Sequence, residues 1–220
     1  MAGAVSIDGQ RADKPGAQVA GEALISVKAS ERYVGRGGLK LEAALAHFAI
    51  DPTGATCLDI GASTGGFTDC LLQHGAAKVF AIDVGHSQLD WKIRSDPRVV
   101  VREKLNARYL TAADVPEPIN LCVIDVSFIS LTLILPPAVA LLRNGGVLIA
   151  LIKPQFELRK EDVARGGVVR EPELHEQAVE KIRSFVTGLP GVAWRGVLES
   201  PILGGEGNKE FLTCLSIASA

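Results

Sequence analysis

Two groups of residues in this chain of 220 residues have types and spacings that suit chemistry. The first is the run Asp59-Ile60-Gly61-Ala62-Ser63-Thr64-Gly65-Gly66-Phe67, with a further acid, Asp83, placed 22 residues beyond Gly61. A glycine loop between a strand and a helix lets an adenosine-bearing cofactor lie close to the backbone, and an acid at about that distance accepts hydrogen bonds from its ribose. The second group is a set of charges at the ends of apolar runs: Asp125 after Val123-Ile124, Lys153 after Ala150-Leu151-Ile152, and Glu210 before Phe211. An ammonium at the end of such a run costs several kcal/mol unless an anion is near, so Lys153 requires a carboxylate, for which Asp125 is placed. A lysine held this way can act on the proton of a substrate. Lys40, in Arg36-Gly37-Gly38-Leu39-Lys40, completes a candidate set of four. Each of the four taken alone reads as an ordinary ion pair or solvated charge.

The loop chemistry narrows the cofactor. A dinucleotide fingerprint would place glycine at position 63 so that the backbone could approach a pyrophosphate, whereas this chain has Ser63. The D-x-G-x-x-x-G form from Asp59 to Gly65 suits S-adenosylmethionine better than NAD, and its ammonium would need anionic partners. Asn106, in Glu103-Lys104-Leu105-Asn106, falls where an adenine edge is usually held, and it reads equally well as a loop cap. Val126-Ser127 after Asp125 lacks the paired prolines of amine-directed methyltransferases, and Cys122 lies inside a strand where burial would leave it inert. A hydroxyl acceptor remains.

These residues need a scaffold that brings them to one edge. Short apolar runs at Ala55–Ile60, Lys78–Asp83, Val99–Arg102, Leu121–Asp125, Val147–Ile152, Val192–Leu198 and Phe211–Ile217 predict seven strands. Helical periodicity falls at Gly66–His74, Leu133–Leu142 and Pro172–Thr187. The alternation predicts an α/β fold with a doubly wound parallel sheet. Glu199–Lys209 is turn-rich and too short for a crossover helix, so the final two strands are predicted to form an antiparallel hairpin. Gly37-Gly38 opens an amphipathic helix with Leu41, Ala44, Leu45 and Phe48 on one face. Residues 1–30 carry strand-like pieces at Val5-Ser6-Ile7 and Ile25-Ser26-Val27-Lys28 around Asp8-Gly9 and Lys14-Pro15-Gly16, with too few apolar residues for a core of their own.

The longest apolar stretch, Leu131 to Leu142, is interrupted by Pro136-Pro137 and is too short for a bilayer. With no basic start and apolar block at the N-terminus, a cytoplasmic protein without membrane association is expected. The four cysteines form no C-x-x-C pair and no cluster with histidine, so they are expected to be buried and reduced, with no metal site. The formal net charge of −2 argues at first against a polyanion partner. Residues 26–40, 92–108 and 153–170, however, together hold fifteen Lys and Arg against six acids. Phosphate affinity depends on where the cations stand, so RNA stays open as a partner.

Four stretches carry a family resemblance: Arg32-Tyr33-Val34-Gly35-Arg36-Gly37-Gly38-Leu39-Lys40-Leu41, Asp59 to Asp69, Ile124-Asp125-Val126-Ser127-Phe128-Ile129-Ser130, and Leu151-Ile152-Lys153-Pro154-Gln155-Phe156-Glu157. Together they resemble the hemolysin-A-type (TlyA) ribosomal RNA 2′-O-methyltransferases of the FtsJ-like group. The resemblance implies a Rossmann-like class I methyltransferase fold over 31–220 and the end of an S4-type RNA-binding domain over 1–30. It places the family's catalytic Lys-Asp-Lys-Glu set on Lys40, Asp125, Lys153 and Glu210. S-adenosylmethionine would be held by Asp59, Gly61, Ser63, Thr64, Gly65, Gly66, Phe67, Asp83, Asn106 and Asp125. The implied partner is ribosomal RNA or a ribosomal subunit, the oligomeric state being open. The competing readings are a non-catalytic ribosome-binding protein, an NAD-dependent oxidoreductase and a cytolysin.

Overall fold

The computed structural model describes residues 5–12, 16, 18–27 and 31–219. The chain divides into two compact units, Met1–Arg32 and Tyr33–Ala220. In the first, β1 (Val5–Ile7) lies between β2 (Gln10–Arg11) and β3 (Ile25–Val27) in an antiparallel sheet. Asp8 and Gly9, with φ of 49° and 80°, make the two-residue turn between β1 and β2, the left-handed geometry that an Asp-Gly hairpin prefers. Lys14, Pro15 and Lys28 of the expected RNA-binding remnant lie outside the described residues.

The second unit is built on a seven-stranded sheet. Its strands are β4 (Thr56–Ile60), β5 (Lys78–Ile82), β6 (Val99–Arg102), β7 (Ile119–Ile124), β8 (Leu142–Ile152), β9 (Val192–Glu199) and β10 (Phe211–Ile217), in the order β6-β5-β4-β7-β8-β10-β9. All neighbours are parallel except β10, which runs antiparallel to both β8 and β9. The hairpin expected from the turn-rich stretch is therefore present, with its second strand inserted beside β8 and its first at the edge. The helices are α1 (Gly37–Phe48), α2 (Gly66–Gln73), α3 (Trp91–Arg94), α4 (Leu135–Ala140), α5 (Pro154–Glu157) and α6 (Pro172–Thr187).

Three local expectations need correction. The helix read at Leu133–Leu142 is confined to α4, because Pro136 and Pro137 are tolerated only in a first turn. The strand expected at Val147 begins at Leu142, with Gly145 at φ 71° carrying the chain through the irregular pairing opposite Ile119–Leu121. Asp83 and Asp125 each fall one residue beyond their strands.

Alternate residues of each central strand enter opposite layers. Val79, Ala81, Leu121, Val123, Ile149 and Leu151 pack under α1 and α2 with Leu41, Leu45 and Leu71. Phe80, Ile82, Cys122, Ile124, Leu148 and Ile152 pack on the other face with Leu135, Ile182 and Val186. Burial on both faces explains why these strands read as continuous apolar runs rather than alternating ones. All four cysteines are buried, and desolvation pushes the Cys57 thiol up to about 12.

The entrance to α1 is fitted closely. A Cβ on Gly38 would stand 2.2 Å from Cγ of the buried Tyr33 ring, a clash with a side chain that cannot move aside without leaving the core. Gly38→Ala is expected to lower unfolding stability by about 1–3 kcal/mol, measured as a reduced midpoint in urea at unchanged slope.

Candidate active site

The carboxyl ends of β4, β5, β7 and β8 meet at one edge, where a parallel sheet leaves room for ligands. Beyond β4 the chain turns sharply at Gly61, whose φ is 87°. A Cβ there would lie 2.2 Å from the carbonyl oxygen of Asp125, so only glycine fits. The Gly61 and Ala62 amides donate to the Ile82 carbonyl at 2.8 and 3.1 Å, tying the loop to β5. Ser63 has φ 49°, the left-handed conformation that glycine would take without strain. Its amide donates to Asp83 Oδ2 at 2.8 Å, and Gly85 donates to Asp83 Oδ1 at 2.7 Å. Asp83 thus organises two loops and still has lone pairs for a hydroxyl. Gly65, at φ 97°, sits against Leu89 and Ile93 and starts α2.

The loop borders two adjoining cavities. One of about 420 Å³ is lined by Gly61, Ser63, Asp83, Asn106, Asp125 and Phe128, among others. The other, about 200 Å³, is lined by Lys40, Gly61, Ser63, Thr64, Gly66, Phe67 and Asp125, together with Arg36 and Gly37. Asn106 accepts from the Arg108 amide at 3.1 Å and so caps a short helical turn while lining the larger cavity. The loop-cap reading of this residue is the one that the hydrogen bond bears out.

Asp59 is placed differently from the other expected ligand residues. It is fully buried, and Thr68 Oγ1 donates to its Oδ2 at 2.6 Å, while Oδ1 has no hydrogen-bond partner. Burial pushes its carboxyl up to about 7, against the pull of the Thr68 hydrogen bond and with a smaller push from Asp125.

The four candidate catalytic residues come together as two ion pairs. Lys153 Nζ lies 2.6 Å from Asp125 Oδ1 and also donates to Ser127 Oγ at 2.9 Å. Lys40 Nζ donates to Glu210 Oε2 at 2.5 Å, both residues being buried. A third cavity of about 300 Å³ is lined by Lys153 and Glu210 with Ser127, Phe128, Gln155 and Phe156. Lys40 and Asp125 thus face one cavity while their partners, Glu210 and Lys153, face another. A Cβ on Gly204 would lie 2.0 Å from Glu210 Oε1, so a larger residue there would displace that carboxylate. A further cavity, about 730 Å³ between α6 and β9–β10, contains none of these residues.

Two contributors escaped the sequence reading. Ser127 was only part of a motif, yet it braces Lys153. Phe128 has φ 63° and is 91 % exposed, its ring centroid 5.0 Å from that of Phe156. A bulky residue in the left-handed region is a backbone outlier of the kind that concentrates at functional sites. Nothing in residue spacing signals either property.

Residues 33–217 match the family model of the FtsJ-like methyltransferases. The chain belongs to this family. Among curated relatives, the 16S/23S rRNA (cytidine-2′-O)-methyltransferase TlyA of Mycobacterium tuberculosis is 46% identical over 218 residues, covering 97% of this chain and 80% of that protein. Hemolysin A of Brachyspira hyodysenteriae is 42% identical over 213 residues, covering 96% and 88%. A solved structure of a candidate hemolysin from Streptococcus thermophilus is 46% identical with a TM-score of 0.83, over 100% of this chain and 81% of that one. In this FtsJ-like methyltransferase the sheet and the loops beyond its strands provide a methyl-transfer scaffold. Among the described residues, no helix is long and apolar enough to cross a membrane.

The Asp59 carboxyl makes stability of the free protein depend on pH. Its pKa is about 7 when folded against an ordinary 3.8, so the folded state holds the proton more tightly and stability falls as pH rises from about 4 to about 7, then levels. Asp59→Asn removes this slope. At pH 8 the variant is expected to be more stable than the parent by on the order of 1–3 kcal/mol, with no gain at pH 4, both read from urea unfolding. An equal loss at both pH values would contradict this assignment.

Proposed function

We propose that this FtsJ-like methyltransferase transfers a methyl group from S-adenosylmethionine to a ribose 2′-hydroxyl of ribosomal RNA, in the cytoplasm. The observation that carries the reading is Lys153, fixed by Asp125 and Ser127 at the junction of the loop-bordered cleft and the cavity that Phe128 overhangs. The activity named for TlyA, at 46% identity over nearly the whole chain, supports the same acceptor.

The residues fit the cofactor. Gly61 and Gly65 let the loop close onto Asp125 and Leu89, where a Cβ would clash, Asp83 offers its carboxylate to ribose hydroxyls, and Asn106 lines the cleft where an adenine edge would lie. Thr64, Gly66 and Phe67 continue the wall beside Ser63. The unpartnered Oδ1 of Asp59 and the carboxylate of Asp125 supply negative potential for an ammonium. When bound, S-adenosylmethionine supplies an electrophilic methyl group on a sulfonium.

A Lys153 that has given up a proton to solvent would orient the acceptor hydroxyl and take its proton as the new O–C bond forms and the methyl–sulfur bond breaks, with Asp125 stabilising the ammonium so restored. Ser127 fixes the direction of Nζ. The Lys40–Glu210 pair, enclosed beside it, holds the local charge balanced and the walls in place. Phe128, exposed over the cavity, offers a face for stacking against a base, an interaction that suits any nucleobase. The basic stretches at 92–108 and 153–170 supply phosphate contacts, and the strands of the first unit stand as the end of an S4-type RNA-binding domain.

Labelled methyl transfer from S-adenosylmethionine to naked ribosomal RNA, separate subunits and whole ribosomes tests the reading. Lys153→Ala is expected to lower kcat by about 10²–10⁴-fold with cofactor affinity nearly unchanged. Gly61→Ala is expected to weaken cofactor binding by calorimetry and to lower unfolding stability by about 1–3 kcal/mol, since its Cβ meets the Asp125 carbonyl. Incorporation that survives Lys153→Ala, or none into any RNA by the wild type, would overturn it.

A further inference from the structure

We propose that Glu157 is a positioning residue that holds the two acceptor-side loops against each other. The inference rests on the methyl-transfer reading above. Glu157 is the last residue of α5, four positions after Lys153, and is only 4 % exposed. Its Oε1 accepts from the Leu131 amide at 2.7 Å, and its Oε2 accepts from Ser130 Oγ at 2.6 Å. Lys181 of α6 donates to the same Oε2 at 3.1 Å and to the Glu157 carbonyl oxygen at 2.5 Å. A carboxylate so buried persists only when its charge and lone pairs are met, and these donors meet them.

The placement matters because the backbone does not do this work. The ladder between β7 and β8 ends at Ile124 opposite Ala150. Beyond it, the segment from Asp125 to Leu131 faces the segment from Lys153 to Glu157 through side chains. Three contacts cross the seam near the chemistry: Asp125 with Lys153, Ser127 with Lys153, and Phe128 with Phe156. Glu157 closes the far end of the same seam. Ser130 also caps the turn at Leu131–Leu133 through the Thr132 amide, so anchoring it fixes the exit of the loop. Phe128 keeps its left-handed backbone only if both ends of its loop are pinned, and Asp125 and Ser130 are those ends. Glu157 thereby acts on methyl transfer through Lys153, Ser127 and Phe128 without touching either substrate.

The test compares wild-type protein with Glu157→Ala and Glu157→Gln in labelled methyl transfer to ribosomal RNA. Cofactor affinity is measured by calorimetry, and amide hydrogen exchange is followed along residues 126–131. Glu157→Ala is expected to lower kcat tenfold or more, with KM and affinity for S-adenosylmethionine within twofold of wild type. Exchange at the Leu131 amide rises at least tenfold, while amides of β4 and β5 keep their rates. Glu157→Gln retains an acceptor for the Leu131 amide and a donor for Ser130 Oγ, so it recovers most of kcat. Unchanged kcat in Glu157→Ala, or a loss matched by equal loss of cofactor affinity, would overturn the proposal. If Glu157→Ala does not fold, Lys181→Met removes one donor only and should show a smaller loss of the same kind, confined to kcat. Absence of transfer by the wild type counts against the functional reading; Leu131 exchange then decides the present one, a rate unchanged in the variant overturning it.

Discussion

The ion pair between Lys153 and Asp125 sets the terms for the rest of the molecule. Lys153 follows an apolar strand and its side chain is only 11 % exposed, so its ammonium needs a carboxylate whose position is fixed before any ligand arrives. Parallel pairing of β7 with β8 provides that, because it ends both strands at the same edge. The sheet cannot deliver the remaining charges by the same device. Glu210 precedes its strand, and only an antiparallel β10 brings the start of a strand to the edge where the others finish, with Phe211 opposite Ile152. Lys40 comes from the first turn of α1, which the glycines at 37 and 38 allow to approach Phe67 and Tyr33 closely.

Much of this was legible in the sequence for a physical reason. Central strands buried on both faces leave apolar runs that hardly depend on register, so the seven strands and the edge residues that follow them could be read directly. The four charged residues could be read because each borders such a run or lies in the first turn of a helix. Their partners could not be read in full: nothing in spacing links Lys40 to Glu210, which lie 170 positions apart. Leu142–Gly146 escaped as strand because Arg143, Asn144 and two glycines hide the pairing.

Asp59 shows what residue type leaves open. Two positions before Gly61, an acid reads as a ligand for a cation, and its type does not say that one oxygen is turned inward to Thr68 while the other is left bare. A strand residue points to one face or the other, and that choice belongs to register, which a single sequence does not display. Phe128 fails to declare itself for a similar reason, since its importance lies in a backbone angle.

The place of β10 in the sheet governs how the second ion pair is closed. It follows β9 in the chain but lies between β8 and β9, so β9 has no neighbour in the sheet without β10. Lys153 and Asp125 stand at the ends of strands that pair directly with each other. Lys40, by contrast, meets a carboxylate only through β10, so one pair belongs to the parallel core and the other depends on the hairpin that completes the sheet.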